Sequence, residues 1–345
     1  MQQYLDLLQD IMGNGNQRGD RTGVGTHSVF GRSLRFNLQD GFPLLTIKQV
    51  PFKAVMAELV WFLEGSTNNE RLRELGATIW DEWALPEEIA QVMQLSNYQR
   101  ALRYAEKAGV SINDAVATLG KLGDDSLGHA FLDEQGIPRE EKIVIRPRGD
   151  LGPIYGAQWR AWPASNNQRL DQLRTVVDGL KTNPYSRRHI VNAWNVEDLP
   201  DEGVDPYNNI IQNKMALAPC HLMFQYYVRD LPDDKKALDC QVYIRSSDVP
   251  LGLPFNIASY AALTHLVAHE CGYEVGELSF LLGDAHIYAN QVDSVSELLT
   301  REPFPLSTFT LPEGPWGIDN VTVELLVNAL SDYEHHPAIA IPIAR

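Results

Sequence analysis

Two alternating apolar runs separated by one turn constrain this chain most. Leu222, Phe224, Tyr226 and Val228 alternate along the first, and Leu238, Cys240, Val242 and Ile244 along the second. Between them, Leu231-Pro232-Asp233-Asp234-Lys235-Lys236 is rich in turn-forming residues. A period of two buries one face of a strand, so the spacing predicts a β-hairpin. It places Cys220 at the start of one strand and Arg245 at the end of the other.

Helical spacing surrounds this hairpin. Tyr4, Leu7, Leu8 and Ile11 predict an opening amphipathic helix before Gly13. The residues from Asp20 through Arg21 to Thr26 read as a glycine-rich loop, and Leu34, Phe36 and Leu38 predict a strand over 33–38. Phe52 to Leu63 is an apolar, helix-length run containing Glu58, and Asn256 to Cys271 is a helix stopped by Gly272. The expected fold is α+β, with a mostly antiparallel or mixed sheet flanked by helices. Residues 1–345 read as one domain with an inserted helical subdomain at about 85–148. Its helices are expected around Pro86–Ile89, Gln99–Ala105 and Ile112–Val116.

Hydrophobic residues make up 44% of the chain, enough for a sizeable core. A formal net charge of −16 argues against a nucleic-acid or membrane-surface binder, which needs surplus cations. Cys220, Cys240 and Cys271 lack metal-ligand spacing and point to reduced thiols in the cytoplasm, with no metal expected. The first residues show no signal peptide, and no apolar run approaches the roughly 20 residues of a membrane span.

Cys220-His221 alone is a weak sign of chemistry, because buried structural thiols are common. Arg21, Arg187, Arg188 and Arg245 sharpen it: if they converge, they hold a phosphate dianion and stabilise a thiolate beside it.

Longer motifs then carry a specific resemblance. They are Asp20-Arg21-Thr22-Gly23, Ile79-Trp80-Asp81-Glu82-Trp83, Gly152-Pro153-Ile154-Tyr155-Gly156 and Ser186-Arg187-Arg188. Leu217-Ala218-Pro219-Cys220-His221, Gly252-Leu253-Pro254-Phe255-Asn256 and Gly283-Asp284-Ala285-His286-Ile287-Tyr288 follow in the same order. Together they resemble the folate-dependent, cysteine-nucleophile thymidylate synthase family, which includes the dUMP and dCMP hydroxymethylases.

The resemblance implies that Cys220 adds to C6 of dUMP, and that C5 then attacks the methylene of 5,10-methylenetetrahydrofolate. Loss of the C5 proton, elimination of the folate and hydride transfer from it would give dTMP and dihydrofolate. It implies catalytic roles for Cys220, Glu58, Tyr155, His221, Asp248 and Arg245. The nucleotide would be held by Arg21, Arg245, Ser246, Asp248, Asn256, His286 and Tyr288, joined by Arg187 and Arg188 from the partner of a homodimer formed through the sheet. The folate would meet Lys48, Ile79, Trp80, Trp83, Leu217, Asp248, Gly252, Phe255 and Ala344. Asn256 reads either as a helix N-cap or as an amide matched to O4 and N3–H of uracil, and its Gly-Leu-Pro-Phe context favours the base.

Ile244, Gln49, Pro51 and the terminal Arg345 depart from the family pattern. Gln49 and Pro51, in place of cations, bear on binding of a polyglutamylated folate; Ile244 and Arg345 bear on water exclusion and hence on a hydroxymethylated product, whereas retained Trp80 and Trp83 favour methylation. A binding module that kept only the fold would have lost catalytic groups that survive here.

Overall fold

The computed structural model describes residues 1–20, 22–122, 132–137, 139–165 and 168–344. It falls into two compact units, Leu85–Gly149 and the remainder of the chain. The larger unit is built on a six-stranded sheet of β1 (Asn16–Arg18), β2 (Thr26–Asn37), β3 (Ile190–Asn192), β4 (His221–Asp230), β5 (Lys236–Asp248) and β6 (Glu274–Tyr288). Across the sheet the order is β1-β2-β6-β5-β4-β3. All neighbours are antiparallel except β5 and β6.

That one parallel pair needs a crossover, and the 20-residue helix Gly252–Cys271 supplies it. The helix buries residues on nearly all sides, as does Phe52–Leu63, so these two form the centre of the core against one sheet face. The predicted hairpin is β4–β5, and the predicted 52–63 helix is found with those bounds. The expected 33–38 strand begins earlier, at Thr26, and ends at Asn37.

The crossover helix starts at Gly252 rather than Asn256. Pro254 is tolerated in its first turn, where backbone N–H groups have no intrahelical partner. Asn256 is therefore inside the helix, and the N-cap reading of it is excluded.

The opposite sheet face is open. Phe30 is 77% exposed, Tyr227 65% and Leu281 38%. Alternation forces this arrangement, because their strand neighbours Val29, Val228 and Leu282 point into the core.

The 85–149 unit is not purely helical. Pro86–Ile89 does not form the expected helix: Ile89 opens a strand, Ile89–Gln94, paired antiparallel with Glu140–Arg146. β-Branched Ile89, Ile143, Val144 and Ile145 suit a ribbon better than a helix. Two helices, Asn97–Ala108 and Ile112–Leu122, pack through Ala101, Ala105 and Ala115. Among the described residues, no helix is long and apolar enough to cross a membrane.

The short helix Tyr155–Ala161 meets Phe52–Leu63 backbone to backbone at Gly156. A Cβ there would lie 2.9 Å from Phe62 O and 3.1 Å from Ser66 O. Gly156→Ala must force these segments apart, lowering stability by about 1–3 kcal/mol. Urea unfolding should show the loss, and an unchanged midpoint would mean that the contact is not this close.

Candidate active site

Strand register assembles the centre. In β4–β5, His221 pairs with Ile244, and Arg245 N donates to Cys220 O at 2.9 Å. In β5–β6, Ser246 pairs with Asp284 and Asp248 with His286. Cys220, Arg245, Ser246, Asp248 and His286 are therefore gathered at one end of three adjacent strands. Gly283 lets β6 approach, since a Cβ there would lie 2.7 Å from Arg245 O.

Arg245 secures the segment before Cys220. Its Nε donates to Pro219 O at 2.9 Å, its Nη2 to Ala218 O at 3.0 Å, and its guanidinium lies 5.4 Å from the Trp194 ring centroid. Cys220 N donates to the Tyr155 hydroxyl at 2.8 Å. The Cys220 residue remains open to solvent, yet protein packed around it penalises a thiolate. That desolvation raises the thiol, while Arg245 and Tyr155 pull it down and Asp248 pushes it up.

Of the four arginines, Arg245 is the one that flanks Cys220 among the described residues. Arg187 and Arg188 are exposed before β3, with guanidinium groups that bind no described residue. Arg21 lies outside the described residues.

Behind the cysteine is a dry acid–base cluster. Glu58 Oε1 accepts from Trp80 Nε1 at 2.7 Å, and burial raises its carboxyl to about 7 against that opposing bond. Trp83 packs edge-on against Trp80 with centroids 5.8 Å apart, and Trp80 lies 6.0 Å from Tyr155. Burial also raises Tyr155. His221 stacks on Tyr155 at 4.2 Å, and burial lowers its imidazole to about 3, so the ring is neutral.

His221 Nδ1 lies 2.8 Å from the buried Tyr260 hydroxyl. A proton on Nδ1 would leave the phenol O–H buried without an acceptor. Tyr260 therefore donates to Nδ1, and Nε2 carries the ring proton.

On the nucleotide side, His286 Nδ1 is 3.0 Å from Asp284 Oδ1, and Asp284 Oδ2 pairs with Arg18 at 2.8 Å. Tyr288 packs edge-on against His286. Ser246 and Asn256 are half-buried. The Asn256 amide binds no described residue, which leaves its donor and acceptor for a ligand.

Asp248 Oδ1 accepts from Leu251 N at 3.1 Å, Oδ2 accepts from Gln291 Nε2 at 3.1 Å, and burial raises this carboxyl. Lys48 is drawn inward beside it. Its Nζ donates to Pro250 O at 2.7 Å, and burial lowers the ammonium to about 8. Ile79, Leu217, Gly252, Phe255 and Ala344 are all partly accessible. Trp194, Tyr260 and Gln291 escaped sequence reasoning because each acts through a partner distant in the chain.

A family model described as Thymidylate synthase matches residues 2–345. Curated thymidylate synthases of Listeria innocua serovar 6a and Listeria monocytogenes serotypes 4b and 4a are each 41% identical over 348 residues, covering 100% of both chains.

Glu58 gives this site a pH signature. Its carboxyl rises from 4.5 to about 7 on folding, so the neutral form stabilises the protein fully below 4.5. That contribution disappears as pH rises through about 7. A shift of this size corresponds to about 3 kcal/mol. Relative to Glu58→Gln, the native chain should lose that much stability across this window in urea titrations. Parallel pH profiles for the two proteins would show that Glu58 is not desolvated.

Proposed function

This chain belongs to the thymidylate synthase family, and we propose how its residues divide the family's reductive methylation of dUMP to dTMP. It is a methyltransferase. The observation that carries the residue assignment is an accessible Cys220 fixed beside Arg245, with neutral His221 and a Glu58 poised near neutrality behind it.

Cys220 Sγ forms a bond to C6 of the uracil, and the C5–C6 π electrons move onto C5 and O4. Arg245 favours the thiolate for this step, while the nucleotide phosphate seats against Arg245, Arg21 and Ser246. The same residues release the product when the C6–Sγ bond breaks. Asn256 reads the base: its carbonyl accepts from N3–H and its NH₂ donates to O4. His286 and Tyr288 receive the sugar. Asp284 accepts from His286 Nδ1–H, which leaves Nε2 to accept from the 3′-hydroxyl.

5,10-Methylenetetrahydrofolate supplies the one-carbon unit and the hydride. Trp80, Trp83, Ile79 and Phe255 offer flat and apolar surface for it, Leu217, Gly252 and Ala344 complete the wall, and half-buried Asp248 offers lone pairs to a pterin N–H. Lys48 braces that region from inside instead of reaching toward a glutamate tail. Near pH 7 Glu58 can give or take a proton at O4. Tyr155 and Nε2–H of His221 order the water that receives the C5 proton.

The whole chain acts as one catalytic domain, into which 85–149 is inserted. Two copies pair through the open sheet face, burying Phe30, Tyr227 and Leu281, and exposed Arg187 and Arg188 serve the partner's phosphate. Three free cysteines fit a reducing cytoplasm.

Incubating the protein with dUMP and 5,10-methylenetetrahydrofolate should give dTMP by mass, and Cys220→Ser should give none. A hydroxymethylated product would point to water replacing hydride, and turnover by the serine variant would remove Cys220 from the mechanism.

The shared site has its own test. Arg188→Ala and Cys220→Ser chains, each nearly inactive, should recover activity when mixed, because one hybrid site draws both native parts. No recovery from demonstrated heterodimers would exclude the sharing.

A further inference from the structure

Gln291 is fully buried and hydrogen-bonds in three directions. Its Nε2 donates to Asp248 Oδ2 at 3.1 Å and to Pro342 O at 3.0 Å, while its Oε1 accepts from Tyr288 N at 3.1 Å. These partners fix the amide orientation, since a backbone N–H needs the oxygen and two acceptors need the NH₂. No alternative flip satisfies all three.

Pro342 belongs to a C-terminal segment pinned along its length. His336 N donates to Thr46 O at 2.8 Å, Arg301 Nη1 to Pro337 O at 2.7 Å and Ser294 Oγ to Ala340 O at 3.1 Å. Of these anchors, Gln291 is the one that also touches Asp248. When the segment leaves, one amide N–H loses its acceptor inside the protein, which is costly. When Asp248 turns away, the other N–H does, and the amide is free to rotate off Pro342. Each event weakens the other through a single side chain.

We infer that Gln291 is a positioning residue that couples seating of the C-terminal segment to the orientation of Asp248. The inference rests on the reading above, in which Asp248 faces the folate. Coupling of this kind is reciprocal: whatever seats the segment aims Asp248, and a ligand that holds Asp248 seats the segment.

The test reads the segment without an activity assay. Carboxypeptidase Y must enclose several residues of free chain end, so it removes Ala344 and Ile343 faster from chains whose segment, held at Ala340 and Pro342, has lifted. Asp248→Ala, which removes the acceptor and touches no part of that segment, should speed trimming by about tenfold, the size expected for one lost hydrogen bond. Gln291→Met should do the same. In the double variant the Asp248 change should add nothing, because the link is already gone.

Trimming of Asp248→Ala at the native rate, or effects that multiply in the double variant, would overturn the coupling. If Gln291→Met does not fold, the Asp248→Ala rate still decides. In native Gln291 chains, KM for 5,10-methylenetetrahydrofolate should be lower than in Gln291→Met, with a smaller change in KM for dUMP. A native protein that makes no dTMP would reject the functional reading, whereas native turnover with independent trimming effects rejects only this coupling.

Discussion

The register between β4 and β5 at Cys220 and Arg245 is the constraint on which the site depends. One main-chain bond, Arg245 N to Cys220 O, sets the two residues side by side. The same arginine then reaches back to two carbonyls of the preceding segment. A strand slipped by one residue would send Arg245 to the other face and leave Ala218 and Pro219 without those donors. Position and chemistry share a cause here, because the cation that opposes the thiol's desolvation also fixes the backbone carrying it.

Burial does the remaining tuning. Glu58, Tyr155, His221 and Tyr260 occupy one dry cluster, and in each the charged form is disfavoured. The outcome is a set of neutral groups with assigned donors and acceptors, suited to passing protons without holding charge. Glu58 is the exception in degree, since a value of about 7 leaves both its forms accessible. Trp80 ties this cluster to the aromatic wall, so disturbing either surface is felt by the other.

Much of this was legible wherever chain periodicity and burial coincide. The hairpin was read correctly because alternate side chains of its strands are buried, and the 52–63 helix because it is an unbroken apolar run buried on nearly all sides. The crossover helix was read four residues short, because Pro254 resembles a breaker until its place in the first turn is known. β3 is too short to show a period, and the ribbon at 89–94 was hidden by a preceding Pro-Glu-Glu that suits a helix start. Of the residues named by motif, Cys220, Arg245, Ser246, Asp248 and His286 are brought together by strand register. Tyr260, Trp194 and Gln291 were not legible, since their roles are contacts to residues 39, 51 and 43 positions away. No local pattern encodes such a distance.

The sheet also links the site to the open face. Successive side chains of β5 point to opposite sides, so the alternation that buries Ile244 in the core leaves Tyr243 facing outward. Met223, Tyr243 and Leu281 lie in register across β4, β5 and β6 on that outward side. Any shift that misplaced Cys220 against Arg245 would also break this row. Cys220 beside Arg245 and this outward row are thus two consequences of one hydrogen-bond ladder, and a sequence that preserved one while losing the other would have to rebuild the sheet.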